Sequence, residues 1–121
     1  MAMTASQLVD HARTRITEIA PHAFAAEIGG SVLIDVREPA EFDAGHLPGA
    51  INIPRGLLEF QVESHPAVTG PSCPIVVYCR SGGRAALAAL SLSVLGFDEV
   101  RSLTGGIMGW TDATLPVVVA G

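Results

Sequence analysis

Two continuous apolar runs stand out along the chain. Val32-Leu33-Ile34-Asp35-Val36 and Ile75-Val76-Val77-Tyr78 show little alternation with polar residues. That is the pattern of strands covered on both faces. Arg15-Ile16-Thr17-Glu18-Ile19 alternates and reads as a shorter strand, and Ile51-Asn52-Ile53 and residues 100–103 add two more. Helical patterns fill the gaps. Thr4 or Ser6 caps an amphipathic segment with Leu8, Val9 and Ala12 on one side. Pro21 opens a helix that passes Phe24 and Ile28 and stops at Gly29-Gly30. Residues 39–42 form one helical turn, and Pro54 opens a helix through Leu57, Leu58, Phe60 and Gln61. Residues 85–95 form a long, apolar, alanine-rich helix ended by Gly96. Gly105-Gly106 turns into a short helix bearing Trp110. Strands alternating with helices predict an α/β fold, a parallel sheet with helices on both faces. Residues 1–14 read as a helical extension packed loosely on a domain over 15–121.

Composition narrows the picture. A chain of 121 residues suits one domain, and 49% hydrophobic against 16% charged residues supports a packed core over disorder. The net charge of -5 argues against a nucleic-acid partner. No apolar run is long enough to cross a bilayer. The first residues carry Asp10 and lack a hydrophobic signal core, so no membrane partner is expected. Cys73 and Cys79 flank a strand that holds their sulfurs apart. Both read as free thiols in a reducing compartment, the cytoplasm by default.

Cys79 lies where a buried strand gives way to a helix, in Cys79-Arg80-Ser81-Gly82-Gly83-Arg84. Ligands of α/β sheets bind at the carboxyl ends of strands. A helix N-terminus offers unpaired N–H groups and partial positive charge. Gly82 and Gly83 let the loop curl so that its amides face inward, and Arg80 and Arg84 add full charges. This setting favours a nucleophilic thiolate and can hold an oxyanion beside it. Arg84 sits in the first helical turn, where a cation opposes the helix dipole, so its presence there calls for a reason other than stability. Cys73, at the opposite strand end, reads as structural.

Three segments bring in a family. Ile34-Asp35-Val36-Arg37-Glu38-Pro39-Ala40-Glu41-Phe42 with Gly45-His46-Leu47-Pro48-Gly49-Ala50-Ile51-Asn52-Ile53-Pro54 resembles the N-terminal signature of rhodanese-like domains. Residues 76–84 resemble the family's active-site strand and loop, and Leu103-Thr104-Gly105-Gly106-Ile107-Met108-Gly109-Trp110 resembles its C-terminal signature. The resemblance implies a rhodanese fold with a central parallel five-stranded sheet. It implies a thiosulfate sulfurtransferase in which Cys79 carries a persulfide and Arg80, Ser81, Gly82, Gly83 and Arg84 cradle the substrate. The donor would be a small sulfur-bearing anion. The acceptor would be cyanide, a thiol or a sulfur-accepting protein. No metal or organic cofactor is implied. Asp35 and Arg37 fall at positions read as structural support.

Other readings remain. A persulfide carrier or interaction module would serve one protein partner with little turnover of its own. A redox sensor would use the same reactive thiolate, but no resolving cysteine lies near Cys79 in the sequence. Phosphatase-like loops resemble this one but follow a Cys-x5-Arg spacing; here four residues separate Cys79 from Arg84, and Ala85 stands where that arginine would be. Arg37 and Glu41 are spaced for a local ion pair. His46 is expected to bond within its own turn, His11, His22 and His65 share no ligand spacing with it, and Trp110 is expected in the core or at its rim.

Overall fold

The computed structural model describes residues 2–119. Met1, Ala120 and Gly121, the outer ends of the expected extension and domain, lie outside the described residues. Five strands form one sheet: β1 (Thr17–Ile19), β2 (Val32–Asp35), β3 (Ile51–Asn52), β4 (Ile75–Tyr78) and β5 (Val100–Leu103). Their order is β1-β5-β4-β2-β3, and every pairing is parallel. All four residues of β4 are buried, which explains the unbroken apolar run at the sheet's centre.

Alternation along β4 divides the core. Ile75 and Val77 pack with Ala85, Ala88, Ala89 and Leu92 of α5 (Gly83–Val94). Val76 and Tyr78 face the other way, toward Phe24 of α2 (Pro21–Ala25) and Trp110 of α6 (Gly106–Asp112). The alanines of α5 combine high helix propensity with small volume, so the helix lies close on the sheet. Helices α1 (Ala5–Arg13) and α4 (Leu58–Gln61) pack beside α5, while α2 contacts α6. The remaining helix, α3 (Pro39–Ala44), follows β2.

Two elements differ from the sequence pattern. Helix α2 ends at Ala25 instead of running past Ile28, because Ile28 is exposed and gives a longer helix nothing to bury. Helix α1 lies firmly against α5. Ala12 is fully buried, and Val9 Cγ2 lies 3.8 Å from where a Cβ on Gly83 would stand. Its start is fixed by a capping box: Gln7 N donates to Thr4 Oγ1 at 3.1 Å, and Thr4 N donates to Gln7 Oε1 at 2.8 Å. Near the C-terminus, Val118 forms an antiparallel bridge with His46, and Trp110 Nε1 donates to Pro116 O at 2.7 Å. No helix among the described residues is long and apolar enough to cross a membrane.

Candidate active site

Cys79 is the first residue beyond β4. It is 1% exposed, yet its sulfur is not enclosed by hydrocarbon alone. Gly82 N donates to Sγ at 3.1 Å and Ala85 N at 3.4 Å. Gly82 adopts φ +120°, a region that L side chains rarely enter, and this turn aims its N–H back at the sulfur. Ala85 belongs to the first turn of α5, where backbone N–H groups have no intrahelical acceptor. The sulfur supplies one, within the positive end of the helix dipole.

The loop rests on the start of α6. Ile107 N donates to Cys79 O at 2.9 Å, and Met108 N donates to Arg80 O at 3.1 Å. This approach needs glycine at 106. A Cβ there would lie 2.4 Å from Cys79 O and 2.6 Å from Arg80 C and O, and its φ is +60°. The sequence pattern marks Gly105-Gly106 only as a turn. Its second role, seating the cysteine loop, depends on two segments brought together by the β4–β5 pairing.

The charged side chains sort into bound and free. Arg84 faces Glu41 of α3, with Nη1–Oε1 at 2.8 Å and Nη2–Oε2 at 3.1 Å. The Arg84 hydrogen bonds hold the Glu41 carboxyl down at a pKa of about 2. The local pair expected between Arg37 and Glu41 is therefore absent. Arg37 instead binds Asp35: Nη2–Oδ2 is 2.7 Å, and Nε lies 3.1 Å from both carboxylate oxygens. The reason is burial. The Asp35 side chain is fully buried at the end of β2 and needs a paired cation, while Glu41 stays near the surface within reach of Arg84. Arg37 Nη2 also donates to Gly45 O at 2.6 Å, and Asn52 Nδ2 donates to the carbonyls of Asp35 and Arg37. Arg80 and Ser81 are exposed, and Arg80 forms no ion pair among the described residues.

An open groove of about 570 Å³ begins beside the loop, lined by Arg37, Glu41, Gly45, Arg80, Met108 and Asp112 among others. His46 takes no part in it: Nδ1 lies 2.9 Å from Phe42 O and the ring stacks on Phe42 at 3.8 Å. Trp110 is in the core. Cys73 is buried at the far end of β4, and both thiols are free. Among the described residues, no group of three or more His, Cys, Asp or Glu side chains could hold a metal ion.

Residues 20–113 match the rhodanese-like domain family. The chain belongs to this family. Thiosulfate sulfurtransferase 16, chloroplastic, of Arabidopsis thaliana is 41% identical over 101 residues, which cover 74% of this chain and 81% of that protein. A Bacillus subtilis (strain 168) protein named provisionally as a sulfur carrier, YrkF, is 31% identical over 102 residues, covering 82% of this chain and 53% of that one. A protein of unknown function from Rhodopseudomonas palustris CGA009, described provisionally as a tyrosine phosphatase, superposes with a TM-score of 0.84 at 27% identity, covering 98% of this chain and 96% of that one. The rhodanese-like family thus includes sulfurtransferases and sulfur carriers among this chain's relatives.

Proposed function

We propose that this rhodanese-like chain moves sulfane sulfur from a thiosulfate-like donor to a thiophilic acceptor through a persulfide on Cys79. One observation carries the reading: the N–H groups of Gly82 and Ala85 converge on the sulfur at the N-terminus of α5. Donors fixed in this way offer hydrogen bonds to Sγ as it attacks and as it leaves with an electron pair. The Cys79 thiolate attacks the outer sulfur of thiosulfate. The bond between the two sulfurs of thiosulfate breaks, and sulfite leaves with the electron pair. Cyanide or a thiolate then attacks the outer persulfide sulfur, and Cys79 departs as thiolate. No proton is transferred in either step, so neither needs a general base. Arg80, Ser81, Gly82, Gly83 and Arg84 form the cradle, and the buried Asp35–Arg37 pair supports its floor. The spacing of Cys79 and Arg84 favours this chemistry over phosphate transfer.

The test is Cys79→Ser. Thiocyanate formation from thiosulfate and cyanide is expected to vanish, together with a mass increase of about 32 Da on the wild-type chain after thiosulfate treatment. Unchanged turnover in the variant removes Cys79 from the mechanism.

A second reading, a sulfur carrier for a protein partner, is favoured by the groove. Its volume of about 570 Å³ and its open form leave room for a partner's segment beside Arg80. A carrier gains the adduct from a cysteine desulfurase and not from thiosulfate; intact-mass measurement with each donor separates the two readings.

A further inference from the structure

We propose that Arg13, carried on α1, is a specificity-determining residue that selects anionic sulfur donors at the Cys79 loop. The inference deepens the sulfurtransferase reading and rests on it. It concerns a residue outside the matched region of 20–113. Ala12 anchors α1 against the domain, and Val9 lies against Gly83. The end of α1 is thereby delivered to the active loop. Arg13 Nη2 lies 3.0 Å from where a Cβ on Gly82 would stand. Gly82 is the residue whose N–H reaches the sulfur. Bond lengths then keep this guanidinium within about 9 Å of Sγ.

The other cations near the site are mostly neutralised. Arg84 is matched by Glu41 and Arg37 by Asp35. Arg13 and Arg80 are exposed and form no ion pair among the described residues. A dianion such as thiosulfate therefore meets two uncompensated charges, of which Arg13 is one. That upper bound on the distance from Arg13 to the sulfur is comparable to the screening length of about 8 Å at physiological salt, so part of the attraction survives there and it fades at higher ionic strength. Glycine at 82 also leaves room for this side chain, since a Cβ would press on Nη2.

The experiment compares Arg13→Gln, Arg13→Lys and a matched control, Arg15→Gln, which removes the same charge from an exposed residue just past α1. Arg13→Gln is expected to raise the KM for thiosulfate roughly three- to tenfold with kcat little changed. The difference should shrink in 0.5 M salt, Arg13→Lys should restore part of it, and Arg15→Gln should match wild type. A second readout does not depend on turnover. Alkylation of Cys79 by iodoacetate should slow in Arg13→Gln relative to alkylation by neutral iodoacetamide, as followed by peptide mass. Equal slowing of both reagents, or equal behaviour of the 13 and 15 variants, overturns the proposal. A wild-type chain that never turns over thiosulfate refutes the sulfurtransferase reading, and the alkylation ratio still decides the role of Arg13.

Discussion

Arg84 and Glu41 close two hydrogen bonds across 43 positions of sequence, tying the first turn of α5 to α3. The cation thus has a carboxylate at the one helix end where the dipole disfavours it. Glu41→Gln is expected to free Arg84 and lower the KM for thiosulfate about two- to fivefold, while Arg84→Gln raises it. Stability should follow the carboxyl. Its pKa falls from 4.5 to about 2 through the Arg84 hydrogen bonds, so the stabilisation is complete above pH 4.5 and is lost as pH falls toward 2. Both side chains are about one-third exposed, which limits the effect to about 1 kcal/mol. Urea titrations of wild type and Glu41→Gln should differ at pH 7 and converge at acid pH.

Gly106→Ala should damage stability and activity together. A Cβ would stand 2.4 Å from the Cys79 carbonyl oxygen, which is backbone and cannot swing aside. Strain and overpacking of this kind cost roughly 2–4 kcal/mol. Relief requires the loop to move off α6, which alters the aim of Gly82 N–H at the sulfur. Thermal denaturation and thiocyanate formation should both report it. Unchanged values in both assays would mean that the loop does not depend on this close approach.

The sequence pattern discloses most of this architecture because it is written in local terms. The unbroken apolar residues of β4, the alanines of α5 and the Gly82-Gly83 turn each state their environment within a few positions. What escapes is tertiary. Glu41 lies four residues from Arg37, and spacing alone favours that pair. Burial of Asp35 claims Arg37 first, and the fold then brings Arg84 to Glu41. The contact of Arg13 with Gly82 and that of Gly106 with Cys79 likewise join distant segments, so no periodicity announces them.

Asp35→Asn should be among the most destabilising single changes near the site. The Arg37 side chain is 8% exposed and meets both carboxylate oxygens, so removing the negative charge leaves a buried cation uncompensated. A loss of about 3–5 kcal/mol is expected. Replacing both partners, as Asp35→Asn with Arg37→Met, should be milder than Asp35→Asn alone, because no charge is then stranded. A double-mutant cycle by urea denaturation checks the sign of the coupling.

Tyr78→Phe tests a different kind of support. Leu47 N donates to the Tyr78 hydroxyl at 3.1 Å, and both residues are fully buried. Phenylalanine keeps the ring packing but leaves that amide without its acceptor, at a cost of about 1–3 kcal/mol. Sulfur transfer should persist, since the Tyr78 ring points away from the α5 side where Cys79 sits. Burial, and next the Asp35 carboxylate, push the phenol well above its ordinary value of 10.0. A raised value means that folding favours the protonated hydroxyl. Its contribution is complete below pH 10 and declines as pH rises beyond that. The stability gap between wild type and Tyr78→Phe should therefore be constant from pH 7 to 9 and narrow above 10. A gap that widens with alkali would show that the folded protein holds Tyr78 as phenolate, contrary to its burial beside the Asp35 carboxylate.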